Sequence, residues 1–323
     1  RLDAVHAYDD RRAYSLMEEI RRVADEVADE TRVPRTIIGE TDQNDPRIVN
    51  DESRGGYGLS AQWLDDVHHC VHTLITGERQ GYYIDYGTVE LLADTLRNAY
   101  RFRDTWSEFR ARTHGPLDLS QVAPWRMVTF TTNHDQTGNR AAGDRPSQSL
   151  SPEQLALRAA TILLSPFTPM LFMGEEFGAR TPFPFFVSHT DDELARMTRE
   201  GRLQEFARQG WNYADVPDPL DPKTFESARL DWEFEKEQAM LLDAYRELFE
   251  IRRTRGFNRE DLRQLQVEHG ETWLTMRDAA PASVTFAANF SDAPVTVPVG
   301  GELVYSFTTP KAVSYTHLTL PTN

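Results

Sequence analysis

The sequence predicts an α/β protein, a parallel β/α barrel followed by a small antiparallel β-domain, and three observations lead there. Apolar residues at helical spacing alternate with short β-rich runs over residues 1–176. Polar and charged residues gather directly after those runs. From about residue 262 the pattern changes to period two. Strand-then-helix alternation gives a parallel sheet because parallel neighbours need a crossover. Functional groups at the carboxyl ends of successive strands suit a barrel. A doubly wound sheet is the rival, disfavoured because no glycine-rich phosphate loop follows any strand.

The elements follow in order. "RLDAV" opens the chain as a strand, and Leu16, Ile20, Val23 and Val27 then make one apolar helical face. "RTIIGE" (35–40) is a buried strand ending in a carboxylate. A helix is expected over 62–76, where Leu64, Val67, Val71, Leu74 and Ile75 form a broad stripe, and another over 88–102. "RMVTFTTNHD" (126–135) is a strand ending in polar residues. The helix over 152–164 starts from Ser151 with Pro152 in its first turn. "TPMLFMGEE" (168–176) is an apolar strand ending in two acids. Segment 180–230, rich in proline, aromatics and acids, reads as a long excursion over the site face rather than a regular unit. A helix at 236–254 keeps Met240, Ala244, Leu248 and Ile251 in step. "TWLTMRD", "SVTFAANF", "PVTVPV" and "ELVYSF" then read as antiparallel strands.

Composition narrows the function classes. The 323 residues carry 35 basic and 51 acidic side chains, a formal charge of −16, which repels phosphate backbones and argues against a nucleic-acid partner. No stretch approaches the ~18–20 apolar residues of a membrane span, so no membrane association is expected. The single cysteine, Cys70, excludes an internal disulfide and fits a reducing, cytoplasmic setting.

The chemistry lies in three carboxylates at strand ends: Asp3, Glu40 and Asp135. Asp3 and Glu40 are one βαβ unit apart, so in a barrel they face each other from neighbouring strands. Such a pair breaks glycosidic bonds, one acid as nucleophile and the other as acid and then base. A separation of roughly 5–5.5 Å gives retention of configuration. Arg1, two residues before Asp3, shares its strand face and can hold it ionised.

These strings resemble a known family. "RLDAVHA" is similar to the nucleophile strand of the α-amylase family of glycoside hydrolases, with Arg1 and Asp3 at matching positions. "IIGETDQND" resembles its acid/base strand, with Glu40 on the acid. "FTTNHDQTGNR" resembles its third signature, so the resemblance implies that His134 and Asp135 hold sugar hydroxyls and stabilise the transition state. Longer stretches, "DDVHHCVHTLITGERQGYYIDYG", "ILLSPFTPMLFMGEEFGA" and "PFFVSHTDDELARMTREGRLQEF", are similar to its trehalose-releasing members. That similarity runs from residue 1 to about 310.

The resemblance implies a retaining hydrolase that cuts the α-1,4 bond beside the terminal trehalose of malto-oligosyltrehalose. It also implies no cofactor, and a malto-oligosyltrehalose synthase as functional partner in the same pathway. Substrate-binding roles are expected for Arg1, His6, Asp42, Trp63, Asp66, His68, Asn133, His134 and Gln136. The fold implied is a partial (β/α)8 barrel, about strands 4–8, over residues 1–258, then a β-sandwich domain over 259–312, itself expected to be truncated. An N-terminal sandwich and three earlier strands are expected to be missing, and the 323 residues alone are expected to be inactive. Residues 313–323 are expected to be a non-native tail, because "SYTHLTLPTN" does not continue the strand pattern.

Other candidates are weighed beside these. His68 and His72, four apart on a helix, have metal-ligand spacing but no third ligand in the sequence pattern. Trp63, Tyr82 and Tyr83 could stack on sugar faces or belong to the core, and Phe183, Phe185 and Phe186 beside His189 offer further aromatic faces. Glu175 and Glu176, being adjacent, cannot both face a pocket, and Asp144 and Arg145 read as loop braces. Two rival functions keep the same residues: a branching enzyme or plain amylase, and a non-catalytic α-glucan-binding module.

Overall fold

The computed structural model describes residues 1–323 apart from 117–121, 209–215, 258, 280–283, 309–310, 315–316 and 321–323. The chain forms two compact units. The first contains Arg1–Thr131, Leu157–Met170 and Glu247–Asn323, and the second Thr132–Ala156 and Leu171–Arg246.

A four-stranded parallel sheet organises the first unit. Its strands are β1 (Ile38–Gly39), β2 (Ala61–Trp63), β5 (Met127–Thr129) and β6 (Thr168–Pro169), in the order β1-β2-β5-β6. The opening "RLDAV" joins this sheet by one residue. Leu2 bridges Gly39 in parallel, donating its N–H to Ile38 O at 2.8 Å and accepting from Glu40 N at 2.8 Å. Val5–Ala7 then turns as a single 3-10 turn, so the expected strand is an extended start rather than a full strand. On one sheet face Ala61, Trp63, Val128 and Phe130 pack together with Ile38 and Met170. Parallel strands buried on both faces read as near-continuous apolar runs, which is why "TIIG" and "MVTF" were legible.

The helix expected over 62–76 is instead two elements, strand β2 and helix α2 (Asp65–Thr76), with Leu64 extended between them. Three fully buried residues show no alternation, so their period cannot separate a short strand from the start of a helix. Helix α1 (Leu16–Thr31) is closed at its start by a capping box, Ser15 with Glu18. Helix α3 (Val89–Asn98) ends four residues before its expected limit, and Ala99 follows at φ 66°. A hairpin, β3 (Thr105–Ser107) against β4 (Arg112–His114), follows it and had no counterpart in the sequence pattern. Asp85 holds it, accepting from Ser107 Oγ at 2.6 Å and Glu108 N at 2.7 Å.

The period-two region forms two antiparallel sheets in this unit. In one, β7 (Leu265–His269), β8 (Trp273–Asp278) and β9 (Thr285–Asn289) run consecutively, with Val267 opposite Met276 and Met276 opposite Phe286. Arg97 on α3 donates to the Val267 carbonyl. In the other, β12 (His317–Leu320) lies between β10 (Val295–Val297) and β11 (Lys311–Ser314). Two expectations are corrected here. Residues 302–307 ("ELVYSF") form no strand, and 317–320, thought to fall outside the strand pattern, supply the sheet's central one. Ser283, first residue of "SVTFAANF", lies outside the described residues.

The second unit carries the long excursion, which is more regular than expected. It contains α4 (His134–Gly138), α6 (Asp192–Arg208) and α7 (Pro222–Ser227). Arg145 braces its loops from a buried position, donating Nε to Thr181 O at 2.7 Å and Nη1 to Met173 O at 2.8 Å over the rings of Phe172 and Phe183. Gly143 is required beside it: at φ 66° an added Cβ would lie 2.2 Å from Pro184 N. Glu175 is structural, accepting from Phe172 N and Tyr245 Oη, each at 3.1 Å. Helices α5 (Pro152–Leu163) and α8 (Lys236–Arg255) contribute residues to both units. Within the first, Arg252 donates to the carbonyls of Leu163, Ser165 and Phe167. No helix among the described residues is long and apolar enough to cross a membrane.

Candidate active site

At the carboxyl edge of the parallel sheet, Arg1 stands between two acids. Its Nη2 is 2.9 Å from Asp3 Oδ1 and 3.9 Å from Glu40 Oε2, which limits those two oxygens to a separation under about 7 Å. The register explains the meeting. Leu2 pairs with Gly39, so the residues flanking each of them project together from the same face. The chain then turns sharply. Ala4 adopts a left-handed conformation, φ 43° and ψ 50°, that L-residues with a Cβ adopt at a cost, and its N–H donates to Glu40 Oε2 at 2.6 Å. The Asp3 side chain is 76% exposed and that of Glu40 18%, so two carboxyls of one site differ in their access to water.

A second group lies just past Glu40. Asp42 Oδ2 accepts from Arg110 Nη2 at 2.7 Å, and the Asp42 carbonyl meets His114 Nε2 at 3.1 Å. Burial alone would raise the Asp42 carboxyl. The hydrogen bond and charge of Arg110, with His6 and His114 adding, outweigh it and hold the carboxyl below its usual value. Sequence reasoning named Asp42 and His6 but missed Arg110 and His114, which the β3–β4 hairpin carries. An Arg and a His near the turn of a hairpin give no period to read.

Several expected sugar contacts are buried. Asp66 is 4% exposed and accepts from Asn44 Nδ2 and Tyr86 Oη, each at 2.7 Å, and from Arg101 N at 3.2 Å. It braces the loop after Glu40 against α2 and the segment after α3. His68 is 2% exposed, with its Nδ1 2.9 Å from His69 Nδ1. Burial drives both imidazoles neutral: His68 falls well below its usual value, the charges of His69 and His72 adding, and His69 is pushed down to about 3. Neutral rings suit that contact, one nitrogen donating and the other accepting. The His68 and His72 rings stack 5.4 Å apart, and His72 bonds Glu78 at 2.8 Å. Among the described residues no three His, Cys, Asp or Glu side chains form a group that could hold a metal ion. Trp63 is 5% exposed, and Arg1 lies over its ring at 4.0 Å.

The third carboxylate belongs to the second unit. Asp135 lies in the first turn of α4, half exposed, with Oδ1 3.4 Å from His134 Nε2. Asn133 is buried and serves as the helix cap, its Oδ1 accepting from Gln136 N at 2.9 Å. That bond orders the turn presenting His134, Asp135 and Gln136.

No family model matches the chain. A solved structure from Salmonella typhimurium described as an alpha amylase superposes with a TM-score of 0.84 at 32% identity, over 98% of this chain and 56% of that one. AmyP in complex with maltose, at 13% identity and a TM-score of 0.57 over 95% of this chain and 59% of that one, shares the fold alone. Along nearly its whole length the chain is thus similar to a protein described as an alpha amylase. Its curated relatives are malto-oligosyltrehalose trehalohydrolases. That of Mycobacterium tuberculosis is 46% identical over 316 residues, covering 96% of this chain and 54% of the relative. That of Saccharolobus solfataricus is 35% identical over 306 residues, covering 95% of this chain and 51% of the relative. The chain thus spans about half the length of the curated relatives it matches.

Proposed function

We propose that the polypeptide carrying these residues is a retaining glycoside hydrolase, cleaving the α-1,4 bond next to the terminal trehalose of malto-oligosyltrehalose. One observation carries the reaction type: Arg1 bridges Asp3 and Glu40 with their oxygens under about 7 Å apart, a bound that admits a retaining pair at ~5–5.5 Å and leaves out most of the ~6.5–9.5 Å range of inverting pairs. Asp3 attacks the anomeric carbon while Glu40 gives its proton to the departing glycosidic oxygen, releasing trehalose. The Asp3 ester is then hydrolysed by water that Glu40 deprotonates, which returns both acids to their starting states. Arg1, 2.9 Å from Asp3 Oδ1, keeps that carboxylate aimed. Asp135 and His134 bind sugar hydroxyls, by the likeness of "TNHDQTGNR" to the family signature.

The substrate reading rests on the relatives, named malto-oligosyltrehalose trehalohydrolase at 35–46% identity along most of the chain. A malto-oligosyltrehalose synthase would supply the substrate, and a cytoplasmic setting agrees with a lone, buried cysteine. The parallel sheet is read as part of a (β/α)8 barrel, about strands 4–8, and the antiparallel strands as a β-sandwich, in keeping with the alpha amylase neighbour. The full reaction is assigned to a polypeptide of the relatives' length, and the 323 residues alone are expected to be inactive.

Product analysis tests the proposal. With these residues inside a relative-length polypeptide, trehalose should be released from malto-oligosyltrehalose with little cleavage of plain malto-oligosaccharide. Equal cleavage of both would favour a plain α-glucan enzyme, and tight binding without any product a glucan-binding module.

A further inference from the structure

We propose that Trp63 is a positioning residue: its ring is the floor on which the Arg1 guanidinium is held flat, in reach of both Asp3 and Glu40. Nothing in the sequence indicates this, because Trp63 reads there either as a sugar-stacking side chain or as a core aromatic. The geometry gives its ring another occupant. Cζ of Arg1 lies 4.0 Å from the ring centroid, and the whole tryptophan is 5% exposed.

The arrangement follows from the sheet. Side chains two apart on a strand share a face. Ile38 and Glu40 therefore stand on one side of the sheet, and Ala61 and Trp63 do so on the next strand. Ile38, Ala61 and Trp63 all belong to the apolar cluster with Val128 and Phe130. Gly39 pairs with Gln62 and Val128 with Trp63, so the Trp63 ring stands level with Glu40 across the strands. Phe130 meets it edge-on, ring centroids 5.5 Å apart at 65°, and limits its rotation.

A guanidinium is planar, with all its N–H donors in the plane and none above or below it. An aromatic face against one side attracts the charge through the ring quadrupole without using a donor. The ring thus opposes tilting of the plane without competing for the donors that reach the carboxylates. Here the in-plane Nη2 sits 2.9 Å from Asp3 and 3.9 Å from Glu40. A small tilt would lengthen one contact at the other's expense. Loss of the ring face should therefore disturb the balance between the two acids while leaving sugar binding alone. The consequence for turnover rests on the hydrolase reading above; the clamp itself does not.

The test uses Trp63→Phe and Trp63→Leu. In the 323-residue chain, the Arg1 Nε–H resonance, assigned by its loss in Arg1→Lys, should be shifted upfield by the ring current. Trp63→Leu should abolish that shift and Trp63→Phe reduce it. If Trp63→Leu does not fold, Trp63→Phe decides. A resonance unchanged in a folded variant overturns the clamp. In the relative-length polypeptide, Trp63→Leu should lower kcat by about tenfold or more, with KM within about twofold, and its effect should not add to that of Arg1→Lys. A raised KM with kcat intact would instead make Trp63 a sugar contact and overturn the proposal. If the unsubstituted polypeptide releases no trehalose, the hydrolase reading fails, and the Arg1 resonance still decides the clamp.

Discussion

Replacing Asp66 by alanine or asparagine probes the support beneath the acid pair. Asp66 is buried and accepts three internal hydrogen bonds, from Asn44, Tyr86 and Arg101 N. Alanine leaves all three donors buried without this acceptor. At about 1–3 kcal/mol for each unsatisfied group, and allowing water into the gap, the loss should be roughly 3–5 kcal/mol. Asparagine keeps the shape and one acceptor oxygen but turns an amide NH2 toward a donor, so it should cost roughly 1–3 kcal/mol.

The pH dependence separates this account from simple loss of packing. Burial raises the Asp66 carboxyl above its ordinary 3.8, although Tyr86, Arg101 N–H and Asn44 pull the other way. The folded chain therefore holds this proton more tightly than the unfolded chain. Asp66's contribution is fully present below pH 3.8 and is lost as pH rises through the folded value. Asparagine has no such proton. Urea unfolding from pH 4 to 8 should therefore show the advantage of the unsubstituted chain over Asp66→Asn narrowing as pH rises. An advantage that widened with pH would mean the hydrogen bonds outweigh burial, and would refute the reasoning.

Two further predictions follow from the same physics. Arg110→Met should raise the Asp42 carboxyl, read by its 13C titration, because the principal opposition to burial is gone. The pair stabilises above the unfolded carboxylate value and is lost as pH falls through the folded one, so this variant should also lose less stability on acidification. An unmoved Asp42 titration would remove Arg110 from the account. Cys70, wholly buried with its thiol pushed up to about 12, should resist a thiol reagent at pH 8 until the chain unfolds; labelling at a free-thiol rate in the native state would contradict that burial.

Much of the fold was legible because long helices advertise their period. Helix α5 was expected over 152–164 and runs Pro152–Leu163; α8 was expected over 236–254 and runs Lys236–Arg255. Strand β2 and the β3–β4 hairpin were not. Strand β2 is wholly buried and shows no alternation, and the β3–β4 hairpin turns through Ala111 at φ 49° without a glycine to mark it. Helix α6 is polar on nearly every face, so no apolar stripe announced it.

Of the two acids that Arg1 meets, Glu40 stands out in the sequence because it ends the apolar run of Ile37 and Ile38, and Asp3 because it sits charged among Leu2, Ala4 and Val5. Asp66, His68 and Trp63 are buried, which the sequence does not reveal although it displays their residue types. Arg110 and His114 were missed because their place beside Asp42 depends on a hairpin that returns 68 to 72 residues later.

The central claim is that Asp3 is the nucleophile and Glu40 the acid/base of a retaining reaction. Its most direct test is to incubate a relative-length polypeptide containing these residues with a fluorinated α-glycosyl fluoride, which slows breakdown of the glycosyl-enzyme. Peptide mass spectrometry then locates the adduct. A glycosyl ester on Asp3, absent in Asp3→Asn, is the predicted result. An ester on Glu40, or no adduct together with first release of the β-anomer from the natural substrate, would contradict it.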